Sequence, residues 1–105
     1  MTLEELKNRC ENNGFTYAYG VYKKATQPPY IQVVTADSQV FHADNIVFYK
    51  KNMINLSYIY KNKDQAQINL IENTILSDVT WQKSDESYLP TEEVWQITYF
   101  FEIGG

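Results

Sequence analysis

The chain opens on a helical pattern. Leu3, Leu6 and Cys10 recur at i, i+3 and i+7, so they share one face of a helix over residues 2–13. Thr2 with Glu5 makes a capping box at its start, and Gly14 stands where a glycine ends a helix. From Phe15 the period changes to two. Phe15, Tyr17, Tyr19 and Val21 alternate with Thr16, Ala18 and Gly20, which predicts a strand. Residues 23–29 form a loop, because Pro28 and Pro29 cannot donate to a hydrogen-bond ladder. Tyr30-Ile31-Gln32-Val33-Val34 predicts a second strand, and the two prolines give it a rigid lead-in rather than a proline-rich ligand motif.

Alternation is lost over residues 35–50, where Ala36, Asp37, Ser38, Ala43, Asp44 and Asn45 surround a Val40-Phe41 pair. This stretch reads as a long turn, or an excursion that leaves the sheet and returns. Residues 52–61 alternate again, with Ile54, Leu56, Tyr58 and Tyr60 on one face. Asp64 is a candidate N-cap for a second helix to about Leu76, with Ile68, Ile71 and Ile75 along one side. Residues 79–83 and 86–89 predict a short strand bent around Ser84-Asp85. In the last strand, 93–103, Trp95, Ile97, Tyr99, Phe101 and Ile103 alternate with polar residues, and Trp95, Ile97, Tyr99 and Phe101 should lie beneath the helices. The order α-β-β-β-α-β-β predicts an α+β fold, a single domain over 1–105, with one antiparallel or mixed sheet packed by two helices.

Composition narrows the class. The 105 residues are 44% hydrophobic and 21% charged, which suits a globular domain with one core and not a disordered chain. Apolar runs are only a few residues long, too short for a transmembrane helix, and Met-Thr-Leu-Glu-Glu is not a secretory signal. A single cysteine, Cys10, excludes an intramolecular disulfide and a cysteine-based zinc site and fits a reducing cytoplasm. A net charge of −4 argues against nucleic-acid recognition by bulk electrostatics. The charge is uneven: residues 1–71 sum to +2, and residues 72–105 carry Lys83 against seven acids. Such a dipolar chain suits head-to-tail contacts between copies, though a solvated surface gives the same pattern. Nine tyrosines among sixteen aromatics exceed the needs of a small core; half-buried sheet positions account for most, and interfaces for others.

Candidate chemistry is sparse. His42, between Asp37 and Asp44, is the one histidine; two carboxylates and an imidazole are a weak metal set, and a solvated loop histidine explains it better. Ser38, Ser57, Ser77, Ser84 and Ser87 all lack the flanking glycines of a nucleophile elbow. Cys10 lies on the apolar helix face with no basic group arranged to lower its pKa, so it reads as structural. Asp85 with Glu86, and Glu92 with Glu93, are sequence neighbours that a strand would turn to opposite faces, unsuited to act as acid/base pairs. These patterns predict neither an enzyme nor a cofactor.

Along nearly its whole length the chain resembles small proteins encoded in the head–tail gene clusters of long-tailed phages and prophages of Gram-positive bacteria. The resemblance rests on an N-terminal helix and a strand leading to Pro-Pro-Tyr-Ile at 28–31, then Ala-Asp-Asn at 43–45. It continues through Ile54-Asn55-Leu56-Ser57-Tyr58-Ile59-Tyr60 into Lys63-Asp64, an amphipathic helix around Ile71-Glu72, and the strand Trp95 to Ile103. The element order is similar to that of the tail terminator, or tail-completion, fold. The resemblance implies a non-enzymatic ring protein, usually a hexamer, in the virion at the tail–head junction, assembled in the host cytoplasm. Its partners would be further copies of itself, the major tail tube protein and the head-completion protein, with no membrane or nucleic-acid partner. Another head–tail connector or head-completion role, or a small regulator that binds a host protein, are the alternatives. In the ring reading Lys23 or Lys24 of one copy would face Asp85, Glu86, Glu92 or Glu93 of the next. Phe41, His42 and Asp44, near the tip of the 35–50 loop, would contact the tube or line its lumen.

Overall fold

Thr2 Oγ1 accepts the Glu5 N–H at 3.1 Å and starts α1 (Leu3–Asn12), as the capping pattern predicts. The helix ends in a Schellman motif. The Phe15 N–H donates to Cys10 O at 3.0 Å and the Gly14 N–H to Glu11 O at 3.1 Å, with Gly14 at φ +84°. The structure is a computed structural model that describes residues 1–20, 27–43 and 46–104; for residues 36–43, 46–52 and 104 it describes the backbone and its pairing.

The strands are β1 (Tyr17–Tyr19), β2 (Tyr30–Ala43), β3 (Ile46–Tyr60), β4 (Trp81–Lys83), β5 (Ser87–Leu89) and β6 (Val94–Gly104). They form one mixed sheet in the order β1-β2-β3-β6-β4, with β5 also paired to β6. Only β1 and β2 run parallel. The fold is α+β, and its element order is roughly the predicted one. Strands β4 and β5 follow the same edge of β6, interrupted at the predicted bend. There the Ser84 N–H donates to Thr98 O and Ser84 Oγ accepts the Thr98 N–H, both at 2.9 Å, so one residue keeps the edge bonded while the chain kinks.

The long turn expected over 35–50 is instead the far part of a β-hairpin. Pairing runs from Tyr30↔Ile59 to His42↔Val47 and Ala43↔Ile46, with register shifts between Thr35 and Ser38 and between Val40 and His42. A bulge adds a residue to one strand, so two of them scramble the period-two signal while leaving the strand paired. Residues Asp44 and Asn45 lie outside the described residues.

Asp64 caps α2 (Gln65–Leu70), accepting the Ala66 and Gln67 N–H groups at 3.0 and 3.4 Å. The helix continues as a π turn over Ile71–Ile75, closed by the Leu76 N–H donating to Ile71 O at 2.9 Å. The wider turn lets Ile75 and Leu76, adjacent in sequence, both reach the core, where each is at most 1% exposed.

Leu6 and Cys10 of α1 and Ile68, Ile71 and Ile75 of the second helix share one core with Ile31, Val33, Ile54, Leu56, Ile97, Tyr99, Phe101 and Ile103 of the sheet. Three tyrosines of the surplus, Tyr58, Tyr60 and Tyr99, belong to this core. Trp95 does not: it is 38% exposed, at the end of β6 opposite Tyr60. Alternation gave its parity correctly, but parity does not say where along a strand the covering layer stops.

Candidate functional site

The two ends of the sheet differ in chemistry. At one end, β5 turns into β6 through residues 90–93, with the Glu92 N–H donating to Leu89 O at 3.2 Å and Glu93 at φ +56°. Glu92 and Glu93 are exposed there, while Asp85 and Glu86 stand at the other end of β5, in its link to β4. Two of the predicted acids thus precede β5 and two follow it, one couple at each end of that short strand. Their separation by strand alternation was the wrong reason to set them aside, since they sit in connections rather than in strands. Glu86 is already engaged: Lys63 Nζ lies 2.7 Å from its Oε1, and that hydrogen bond holds its carboxyl below the ordinary value. Asp85, Glu92 and Glu93 have no ion-pair partner among the described residues.

Against this acidic end stands an aromatic step that the sequence did not single out. Tyr88 on β5 pairs across the strands with Trp95 on β6, their rings 5.2 Å apart and inclined at 55°. Tyr88 is 48% exposed. The usable signal was register: two aromatics flank a tight connection, so they fall opposite each other on the same face.

At the other end, β6 stops at Gly104, paired with Lys51, while β2 and β3 run on as a two-stranded arm. Phe41 and His42 belong to strand β2 close to the arm's end, not to a loop tip. The side chains of Phe41 and His42, and Lys23, Lys24 and Asp44 altogether, lie outside the described residues. Nine rises along β6 at ~3.3 Å put Trp95 and Gly104 ~30 Å apart, so these two groups of predicted residues are not neighbours within one chain. The molecule is correspondingly long, 51 × 28 × 24 Å.

Between the two ends several ionised groups are bonded to one another. Glu72 on the π turn accepts from Lys83 Nζ at 2.8 Å and from the Tyr99 hydroxyl at 2.6 Å. Burial alone would raise its carboxyl, but these two bonds outweigh it and hold the pKa low. Tyr99 is pushed far up, first by burial and then by its bond to Glu72. Arg9 makes a fork to Asp78 at 2.7 and 2.9 Å and also donates to Ile75 O at 3.1 Å, joining α1 to the end of the second helix. Cys10 is fully buried, and that burial pushes its thiol up to about 12, so at neutral pH it is an unionised core group. Among the described residues, no three His, Cys, Asp or Glu side chains come together as a metal site.

On the sheet face away from the helices, Ser57, Thr98 and Gln96 bond one another at 3.1 Å, flanked by exposed Val34 and Phe100. This face offers hydrogen bonds and apolar area. The arrangement as a whole can bind other surfaces through an acidic and aromatic end and through strand edges that have no partner among the described residues. No model of a known protein family and no characterised protein matches the chain.

Proposed function

We propose that this protein is a structural component of the neck of a long-tailed phage, a tail terminator that closes the head-proximal end of the tail tube as a ring. The observation that carries the reading is the ordered resemblance of its segments to such proteins. Those segments lie on consecutive parts of one sheet-and-helix unit: 28–31 at the start of β2, 54–60 in β3, 63–64 at the cap of α2, 71–72 on the π turn and 95–103 in β6. The physics is compatible. A closed ring needs two different complementary patches on each subunit, related by a rotation. Here the acidic, aromatic end and the paired arm lie at opposite ends of an elongated chain.

In this reading the protein acts by steric completion, without catalysis or a cofactor. One side matches the growing surface of the tube and the other presents a different surface to the head-completion protein. Its place is the virion, after assembly in the bacterial cytoplasm. The exposed aromatics Tyr19, Tyr88, Trp95 and Phe100 would serve any partner-binding role, including another head–tail connector or a host-protein regulator. Deletion of the gene in its phage, with electron microscopy of the lysate, separates these. The terminator reading expects DNA-filled heads beside unattached tails, some of them overlong, whereas unattached tails of normal length would favour another neck role. Normal particles would refute it.

A further inference from the structure

We infer that the arm is the element by which one copy grips the next, adding its strand edge to β5 of a neighbouring copy beside Tyr88, Trp95 and the free acids. For its closure into a ring this rests on the reading above; the contact itself stands on four observations.

The first is unpaired backbone. Strand β1 covers β2 only at Ile31, Gln32 and Val33, and β6 leaves β3 at Lys51. Beyond Lys51 the outer edge of β3, residues 46–50, has no neighbouring strand among the described residues. An unpaired edge of this length is a template for another strand, and a two-stranded ribbon alone is marginally stable in water. The second is the sequence of the arm. Ile46, Val47, Phe48 and Tyr49 are apolar without interruption, with Ile46 opposite Ala43 and Val47 opposite His42. A ribbon with solvent on both sides calls for polar residues at alternate positions, whereas a run without them suits a ribbon that is covered.

The third is what β5 offers. Its inner edge pairs with β6, and its outer edge has no strand partner among the described residues. Beside it stand two half-exposed aromatic rings, an apolar counterpart to the arm. The fourth is charge. The arm's sequence carries Lys50 and Lys51, while Asp85, Glu92 and Glu93 flank β5 without an ion-pair partner among the described residues. Because arm and β5 lie at opposite ends of the chain, they meet between copies and not within one. A contact of this head-to-tail kind is heterologous and closes into a ring when the rotation allows. The occupant of the β5 edge is thus a second copy of this chain.

The test uses the full chain and two kinds of variant, followed by sedimentation velocity from about 10 μM to about 1 mM. In the first, residues 39–51 are replaced by Asn-Gly, which links the cross-strand partners Ser38 and Asn52 through a two-residue turn. The second kind reverses charge: Lys50→Glu with Lys51→Glu on the arm, and Glu92→Lys with Glu93→Lys at β5. We expect the full chain to associate with rising concentration and the trimmed chain to stay monomeric with its melting temperature nearly unchanged. Each reversal alone should raise the concentration of half-assembly by about fivefold, and a mixture of the two reversed chains should recover assembly. Assembly of the trimmed chain like the full chain would overturn the inference, as would a full chain that stays monomeric throughout. Both outcomes leave the terminator reading to be decided by the tails of the deletion phage, so the two can fail separately.

Discussion

The Tyr99 hydroxyl donates to Glu72 Oε2 at 2.6 Å, joining the middle of β6 to the π turn of the helical layer. Glu72 is 19% exposed at its side chain, so this charge-assisted bond operates largely out of water. Tyr99→Phe leaves the carboxylate with Lys83 alone and should cost about 1.5–3 kcal/mol, the usual worth of a hydrogen bond to a charged group. Glu72→Gln should cost a similar amount. Denaturant unfolding of both single variants and the double variant checks this. A double variant costing clearly less than the summed single costs supports the link, and simple additivity would show that the two groups do not cooperate.

Acid should weaken the fold through a second tie. Arg9 holds the Asp78 carboxyl down at about 2, against an ordinary value of 3.8. A carboxyl lowered in the folded state stabilises fully above its unfolded pKa and loses that contribution as pH falls through the folded one. The melting temperature should therefore be flat near neutrality and fall between about pH 4 and about pH 2, with Glu72 and Glu86, also held low, adding in the same direction. Asp78→Asn should flatten part of that fall. An identical acid profile in the variant would show that the Arg9 fork contributes nothing.

Ile97 and Trp95 lie two residues apart at the same parity of β6, yet substitution should cost far more at Ile97 than at Trp95. Ile97 is 1% exposed in the centre of the core, so Ile97→Asp buries an unpaired charge and should unfold a domain of this size. Trp95→Ala removes a ring that is 38% exposed and should lower stability by about 1 kcal/mol or less. Thermal melts of the two variants decide it. A folded Ile97→Asp variant would mean that the face of β6 has been assigned the wrong way round.

Those two residues also show how far the sequence could be read. Period two gave the inward face of β6, and period 3.6 gave both helices, because each signal depends on neighbours close in sequence. The caps at Thr2 and Asp64 and the stop at Gly14 were legible for the same reason. The arm was not, since its two bulges break the period that identifies a strand. Nor was the parallel pairing of β1 with β2, or the link of Arg9 to Asp78, which are set by contacts between distant segments. Of the candidate site, the acids were visible as a composition bias. That they stand at the two ends of β5, which sets Tyr88 opposite Trp95, required the register of β5 on β6. The edge of β3 beyond Lys51, which has no strand partner among the described residues, required the length of β6, which no local pattern encodes.

The proposed role is to end tube growth, and tail length reads that role directly. The measurement is the length distribution of unattached tails in lysates of the gene-deleted phage, with and without purified protein added during assembly. Without the protein the distribution should broaden and include overlong tails. Supplying it should restore one length and the joining of tails to heads. A single normal tail length in the deletion lysate would contradict termination, and with the tails unattached it would assign the protein another role in the neck.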